Sequence, residues 1–279
     1  MPNKNNIDTG KIQTWCPSCF NFMIFAGVKN FLKKQKTTDL KNMAIVSGIG
    51  CHAKIYDGLS LNGLNSLHGR VLPACLGLKI GNPNLNVLGF SGDGDAYSEG
   101  IEHLIHACRY NANFKYLVHN NQIFALTIGE PTAVTEQGFK DKTTPLGVQV
   151  KTLNPIKLVL SAGATFVARV FAEPVQVEQV LHEAIKHKGF AFIEIIQPCL
   201  IFHKDEGYKE RTYNLQEKGH DKSNIKAAME KADEFDYNSK TSKIPLGIFY
   251  QNSEKTFEEE FPQLLKLMKQ KKSWKDIKR

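Results

Sequence analysis

Residues 85–121 constrain the fold of this chain more than any other segment. LNVLGFSG (85–92) is an apolar run that ends in glycine, which is typical of a buried strand. SEGIEHLIHACRYN (98–111) follows with apolar residues at positions 101, 104, 105 and 108, the spacing of an amphipathic helix. FKYLVHNN (114–121) is again a strand candidate. The segment therefore predicts two parallel strands joined by a helix.

The same alternation continues along the chain. Further strands are predicted at 43–50, 164–172 and 190–198, and a further amphipathic helix at 175–187. Strands that alternate with helices predict an α/β fold with a mostly parallel sheet and helices on both faces. Ligands of such sheets bind beyond the carboxyl ends of the strands, so the residues that follow each strand are candidates for a site. They are Cys51, the GDGD sequence at 92–95, the pair Asn120–Asn121, and Cys199.

The composition argues against several classes of protein. The chain has 279 residues and no apolar run of the roughly 18 residues needed to span a bilayer. Its first residues lack the apolar core of a signal peptide, so we expect a cytoplasmic protein that does not act at a membrane. The net charge of +8 is concentrated at Lys33, Lys34, Lys36 and in 266–279. No recognised nucleic-acid motif accompanies this charge, which favours a solvated basic surface over nucleic-acid binding.

Six cysteines raise the question of metal binding. In a cytosolic chain of this length we expect metal ligands, reactive thiols or core residues rather than disulfides. Cys75 and Cys108 fall on apolar faces and are predicted to be core residues. Cys16 and Cys19, in TWCPSC, could combine with the strand-end cysteines to hold an iron–sulfur cluster or a zinc ion, and spacing alone does not decide between them.

The GDGD sequence and the Asn pair together favour a diphosphate site. Glycine lets the backbone approach a ligand closely, and the N-terminus of the next helix offers free N–H groups. Asp93 supplies a carboxylate oxygen and Asn121 a neutral oxygen, which are the ligands that Mg²⁺ takes beside phosphate and water. The alternative is an ordinary strand–helix turn in which the glycines serve geometry alone.

GDG, followed 25 residues later by the Asn pair, resembles the diphosphate-binding module of thiamine diphosphate (ThDP) enzymes. TWCPSC, SGIGCHAKI (47–55), the segment 65–85, GDGD and EIIQPC (194–199) together resemble the β subunit of 2-oxoacid:ferredoxin oxidoreductases, in order over about 15–202. The resemblance implies a ThDP-binding fold with an iron–sulfur site in residues 1–205. Residues 206–279 would form a C-terminal extension that packs on the core or on a partner subunit.

The family's activity is the CoA-dependent oxidative decarboxylation of a 2-oxoacid, such as pyruvate, to acyl-CoA and CO₂. Electrons would pass through a 4Fe–4S cluster to ferredoxin. An α (or α–γ) subunit would supply the glutamate that activates ThDP, so the chain alone is expected to be inactive. Two alternatives stay open: half of a cluster-free ThDP decarboxylase, and a non-catalytic scaffold subunit.

The resemblance also implies which residues bind each group. The cluster ligands would be Cys16, Cys19, Cys51 and Cys199. The Mg²⁺ ligands would be Asp93, Asn121 and the backbone carbonyl of Ile123. The residues that contact ThDP would be Ile49, Gly50, Cys51, His52, His68, Gly94, Asp95, Ala125 and Leu126.

Two residues are expected to act directly in the reaction. Lys54 lies three residues after Cys51 and would bind the carboxylate of the 2-oxoacid as a point charge, whereas its alternative is a surface lysine. His68 would reach the cofactor or substrate, and its alternative is a structural turn histidine. His103, His106 and His119 are interpreted as surface or packing residues.

The chain departs from the family pattern around its first cysteine pair. The family often has WCPGCG, whereas Ser18 and Phe20 stand at the glycine positions here. We expect Ser18 to be harmless and Phe20 to change the packing nearby. Cys51 is followed by His52, Ala53 and Lys54, where small residues and then a basic one are commoner.

The last quarter of the chain shows structure but no chemistry. Helices are predicted for 226–240 and 257–272, and a strand or extended arm for 244–251.

Overall fold

The computed structural model describes residues 7–204 and 207–277 and is built around an eight-stranded sheet. Two short strands outside this sheet form a separate antiparallel ribbon. In chain order the strands are β1 (Met43–Ser47), β2 (Asn62–Asn65), β3 (Asn86–Gly92), β4 (Phe114–Asn120), β5 (Ile123–Phe124), β6 (Glu130–Pro131), β7 (Phe166–Phe171), β8 (Ala191–Ile196), β9 (Thr212–Asn214) and β10 (Ile244–Gln251).

The order of the strands across the sheet is β2-β1-β3-β4-β8-β7-β10-β9. Every neighbouring pair is parallel except β7 and β10, which are antiparallel. The predicted mostly parallel sheet is therefore confirmed. Because β1, β3, β4 and β8 are adjacent and parallel, their carboxyl ends lie along one edge, where ligands of such sheets bind.

Helices cover both faces of the sheet, as expected. None of the helices in the described part of the chain is long and apolar enough to cross a membrane. The helices are α1 (Asn21–Lys33), α2 (Thr37–Lys41), α3 (Ile55–Gly58), α4 (Val71–Gly81), α5 (Ile101–Tyr110), α6 (Pro155–Ser161), α7 (Pro174–Lys186), α8 (Tyr208–Arg211), α9 (Ile225–Asp233), α10 (Phe257–Glu260) and α11 (Pro262–Gln270).

Two apolar cores lie between the sheet and these helix layers. On one face α1 and α7 pack together and fully bury their own side chains Val28, Phe31 and Leu181. On the other face α4, α5, α6 and α9 form the second layer. Cys75 and Cys108 lie in this second core, so their prediction as core residues is confirmed.

One predicted helix is shorter than expected and another is divided in two. The helix expected over 226–240 ends at Asp233. The one expected over 257–272 is divided into α10 and α11 at Phe261, whose φ of −103° and ψ of 113° are extended. Pro262 explains the break, because its ring disfavours the helical conformation of the residue before it.

The C-terminal segment joins the main sheet. Residues 244–251, expected as a strand or an arm, form β10 and pair with β7. Glu258 of α10 is fully buried, accepts hydrogen bonds from the Asn113 amide at 3.1 Å, and lies 3.3 Å from Nζ of Lys79. The division of the chain into two domains near residue 205 stays a prediction.

The close packing of α1 against α7 depends on the missing side chain of Gly27. A Cβ atom there would lie 2.7 Å from the backbone oxygen of Pro174 and 2.7 Å from Cβ of Val177. We expect Gly27→Ala to lower the free energy of unfolding by about 1–3 kcal/mol, because the helices must separate. Denaturant unfolding followed by circular dichroism measures this change.

Gly77→Ala in α4 is the matched control, since a Cβ atom there meets no other atom within 4 Å. This variant should gain roughly 0.5–1 kcal/mol from the better helix propensity of alanine. Equal effects at the two positions would contradict the proposed close packing.

Candidate active site

One cavity lies at the carboxyl ends of β1, β3 and β4. It brings together all the residues that the sequence predicted for ThDP and Mg²⁺, namely Ile49, Gly50, Cys51, His52, His68, Asp93, Gly94, Asp95, Asn121, Ile123, Ala125 and Leu126. Sequence reasoning did not assign the remaining lining residues to it, and these are Asn21, Gly92, His119, Phe124, Thr127 and Gln197. Lys54, Cys16, Cys19 and Cys199 are not part of this lining.

Asp95 holds the loops of the cavity together. Its Oδ1 accepts a hydrogen bond from the Gly69 amide at 2.8 Å and lies 2.8 Å from Nδ1 of His68. Its Oδ2 accepts one from the Ser91 hydroxyl at 2.7 Å. At Gly48 a Cβ atom would lie 1.9 Å from Oδ2, so the loop after β1 approaches the carboxylate as only glycine allows. Asp95, just after β3, thus contacts both the loop that carries Gly69 and the loop after β1 that carries Gly48.

The three predicted Mg²⁺ ligands are linked by hydrogen bonds. Asp93 is buried, and its Oδ1 accepts a hydrogen bond from the backbone N–H of Asn121 at 3.1 Å. Oδ1 of Asn121 in turn accepts one from the Ile123 amide at 3.1 Å, as in an Asx turn. Thr132, which sequence reasoning did not select, donates its hydroxyl hydrogen to Oδ2 of Asp93 at 2.6 Å.

Burial raises the pKa of Asp93 to about 7, although its hydrogen bonds from Thr132 and Asn121 act in the opposite direction. A buried carboxylate that lacks a neighbouring cation is costly, and a bound divalent cation would offset that cost. The donor set, a carboxylate beside amide and backbone oxygens, is the kind that Mg²⁺ takes.

Two buried histidines form part of the cavity wall. The rings of His52 and His119 are 6.0 Å apart between centroids and meet edge to face. Burial lowers the pKa of His52 to about 3 and that of His119 well below its usual value, so both rings are neutral. His119, interpreted from the sequence as a surface or packing residue, is 2% exposed and lines the cavity.

The cysteine loop is fastened to the loop that follows β1. Nε1 of Trp15 donates a hydrogen bond to the carbonyl of Cys51 at 2.6 Å. Nζ of Lys54 donates to the carbonyl of Thr14 at 2.8 Å. The predicted catalytic Lys54 therefore lies on the cysteine side of the loop, whereas His68, the other predicted catalytic residue, lines the cavity.

The four predicted cluster cysteines interact electrostatically. Burial raises the pKa of Cys51 to about 11. Lys54 acts in the opposite direction, and the other three cysteines of the set each raise this pKa further. Burial also raises the pKa of Cys19, with smaller contributions in the same direction from Cys16 and Cys199. Cys16 is exposed and the others are half-buried. Within 7–204 and 207–277, no three His, Cys, Asp or Glu side chains are arranged to hold a metal ion.

These geometric features are those of a thiamine-dependent enzyme, and comparison with known proteins agrees. Residues 48–195 match the family described as thiamine pyrophosphate enzyme, C-terminal TPP binding domain. Residues 203–266 match the C-terminal region of the pyruvate ferredoxin oxidoreductase β subunit.

Individual relatives narrow the class further. The chain is 37% identical over 249 residues to the 2-oxoacid:ferredoxin oxidoreductase subunit β of Saccharolobus solfataricus, covering 85% of this chain and 81% of the relative. It is 34% identical over 264 residues to subunit β of 2-oxoacid:ferredoxin oxidoreductase 1 of Aeropyrum pernix, covering 89% and 81%. The chain belongs to the β subunits of the 2-oxoacid:ferredoxin oxidoreductases.

A solved structure shows the same fold. The 2-oxoglutarate:ferredoxin oxidoreductase from Magnetococcus marinus, with 2-oxoglutarate, coenzyme A and succinyl-CoA bound, has a TM-score of 0.86 and 29% identity. The match covers 98% of this chain and 92% of that one. The ThDP-binding fold expected from the sequence is therefore confirmed.

Ser18 has a backbone conformation that sequence reasoning did not foresee, and the expectation that it is harmless stays a prediction. Its φ is +62°, in the left-handed region that disfavours residues with a Cβ atom. We expect Ser18→Gly to raise the free energy of unfolding by about 1 kcal/mol, because it removes this strain. Denaturant unfolding measures the gain.

Ser18→Ala is the control, since it removes the hydroxyl but keeps the Cβ atom. It should show no such gain, and a gain as large as that of glycine would contradict the argument from backbone strain.

Proposed function

We propose that this chain binds ThDP and Mg²⁺ and, with an α (or α–γ) subunit, oxidatively decarboxylates a 2-oxoacid to acyl-CoA and CO₂ in the cytoplasm. A 4Fe–4S cluster held by this chain would supply the electron transfer to ferredoxin. The observation that carries the proposal is the single cavity lined by every residue predicted for ThDP and Mg²⁺.

Asp93, Asn121 and the carbonyl of Ile123 would hold Mg²⁺ and, through it, the diphosphate. Their fit rests on the buried Asp93 carboxylate, which has hydrogen-bond donors but no lysine or arginine in the cavity lining. Gly94 lets the backbone pass close to the ring of Phe124, because a Cβ atom at this position would lie 2.3 Å from that ring. The coenzyme, when bound, supplies the electron sink for decarboxylation.

Cys16, Cys19, Cys51 and Cys199 would hold the cluster. Four cysteine thiolates are the usual ligand set of a 4Fe–4S cluster, and the mutual electrostatic effect of the four supports their proximity. Zinc could bind the same donors, but only an iron–sulfur cluster accepts the electrons that the proposed reaction releases.

Lys54 and His68 would contact the substrate or cofactor. His68 is about one-third exposed, lines the cavity and is held by Asp95, so it can meet a molecule entering there. The Lys54 ammonium uses one of its three donors on Thr14. Its other donors are available to the carboxylate of a 2-oxoacid, the role that the sequence predicted.

The partner subunits would complete the site. The cavity lining described above contains two aspartates and no glutamate, so the activating glutamate would come from the α subunit. Apolar side chains at or beside the cavity, including Ile49, Leu126 and Ile128, are 43%, 47% and 49% exposed and could be covered by that subunit. The net charge of +8 would steer an acidic ferredoxin toward the chain.

The cluster can be tested in the complex with the α subunit, purified anaerobically. We expect broad visible absorbance that dithionite bleaches, and Cys199→Ser should lower both this absorbance and the bound iron because it removes one ligand. Cys75→Ala, in the core, is the control and should retain both. Bound zinc without iron in the wild-type complex would contradict the electron-transfer role.

We expect Asp93→Asn to weaken ThDP binding. The variant keeps the side-chain volume but removes the charge that binds Mg²⁺, so the dissociation constant of ThDP should rise by about 100-fold or more. Titration calorimetry of the complex in Mg²⁺ measures it. Asp233→Asn, which alters only a surface pair with Lys157, is the control. Unchanged ThDP affinity in Asp93→Asn would favour the scaffold alternative.

A further inference from the structure

Two side-chain amides separate Cys19 from the cavity. Nδ2 of Asn21 donates a hydrogen bond to Sγ of Cys19 at 3.5 Å, and Nε2 of Gln197 lies 3.9 Å from the same sulfur. Asn21 and Gln197 are 1% and 2% exposed, and both line the cavity. The wall between the proposed cluster and the proposed ThDP site is therefore polar, and its N–H groups face the cysteine.

Asn21 also contacts a histidine on its other side. Its Oδ1 lies 2.8 Å from Nδ1 of His119, at the distance of a good hydrogen bond. The amide thus connects the Cys19 sulfur to the His119 ring through two consecutive hydrogen bonds. His119 lies in β4 and Asn21 is the first residue of α1, so this hydrogen bond joins the two elements.

The chemistry of the sulfur fixes the direction of both bonds. A thiolate that binds a cluster can only accept hydrogen bonds, so the NH₂ group of Asn21 must face Cys19. The amide oxygen then faces His119 and can only accept, so Nδ1 of His119 carries the proton. In a neutral imidazole the other nitrogen, Nε2, is left with a lone pair.

That lone pair has no partner in the protein. Nε2 of His119 is buried and makes no hydrogen bond within residues 7–204 and 207–277. Oε1 of Gln197 is likewise buried and unpartnered over the same residues. Buried polar atoms in folded proteins nearly always have partners, so two unsatisfied acceptors on side chains that line one cavity indicate donors supplied by a bound molecule.

We propose that Asn21 is a positioning residue that serves two sites at once. On one side it donates to the Cys19 thiolate and favours the reduced cluster. On the other it holds His119 in the tautomer whose Nε2 accepts a hydrogen bond from an N–H or O–H group of the molecule bound in the cavity. This inference rests on the proposed function and deepens it, since it assigns roles to two residues outside the predicted site.

The effect on the cluster follows from charge. A reduced cluster carries one more negative charge than an oxidised one, so a donor to its sulfur stabilises the reduced form more, and hydrogen bonds to the sulfurs are known to set the potential. Loss of the Asn21 donor should therefore lower the reduction potential.

Three variants separate the two roles. Asn21→Leu removes both hydrogen bonds at similar volume. Asn21→Asp removes the donor to Cys19 but keeps an acceptor for His119. His119→Phe keeps the Asn21–Cys19 bond and removes the imidazole. Asn30→Asp, an exposed position on the same helix, controls for the added charge.

The readouts are the reduction potential from an electron paramagnetic resonance titration, the dissociation constant of ThDP, and KM and kcat for the 2-oxoacid. We expect a lower potential in both Asn21 variants and an unchanged potential in His119→Phe. We expect His119→Phe and Asn21→Leu to raise the ThDP dissociation constant or KM about five- to tenfold, the loss of one hydrogen bond. Asn21→Asp should not raise either.

The outcomes distinguish this inference from the proposed function. A wild-type complex without cluster or ThDP overturns the proposed function. A wild-type complex with both, in which the Asn21 variants keep the wild-type potential or shift it no more than Asn30→Asp, overturns the role toward Cys19. Parallel changes of potential and binding in all three variants would indicate a structural role only and would also overturn the inference.

Discussion

The buried carboxylate of Asp95 is the interaction on which the cavity depends. Its two oxygens bind groups from the end of β3 and from the loop that precedes α4, and Gly48 brings the loop after β1 against it. A single charge, buried but amply supplied with donors, thereby sets the geometry of a site built from distant parts of the chain.

A second buried network extends this support to the C-terminal segment. Glu194 and Arg169, both fully buried, pair at 2.7 Å between Oε2 and Nε. Oε1 of Glu194 accepts hydrogen bonds from Nδ2 of Asn120 at 2.8 Å and from the Tyr237 hydroxyl at 3.0 Å. Because Asn120 immediately precedes Asn121, a residue beyond position 205 helps to fix a proposed Mg²⁺ ligand. The C-terminal segment thus contributes to the site without lining it.

The strands and the helix layers were predictable because they follow local rules, whereas most residues of the cavity were predicted from the resemblance to a known family. Apolar runs mark buried strands, and parallel strands align their ends, so Asp93 and Asn121 had to be neighbours once the sheet was recognised. The helix break at Phe261 was also predictable, because Pro262 disfavours the helical conformation of the residue before it. The positive φ of Ser18 was not, because a serine gives no local sign of the loop that forces it.

The role of His119 could not be predicted for a different reason. The role of His119 depends on its hydrogen bond with Asn21, which is 98 residues away in the chain, and on the Cys19 sulfur that Asn21 contacts. Thr132 is similar, since it reaches Asp93 across 39 residues of chain. Hydrogen bonds between distant residues leave no periodic pattern in a sequence, so partners of this kind emerge only once the chain is folded.

The charge of the cavity gives a further reason for binding the diphosphate together with a cation. Its described lining contains Asp93 and Asp95 but no lysine or arginine, and the buried rings of His52 and His119 are neutral. An anionic diphosphate entering alone would meet carboxylates without a compensating side chain. A bound Mg²⁺ would remove this repulsion, because this cation takes carboxylate and phosphate oxygens together. The neutral histidines would then serve as hydrogen-bonding groups that orient a ligand without changing the net charge of the site.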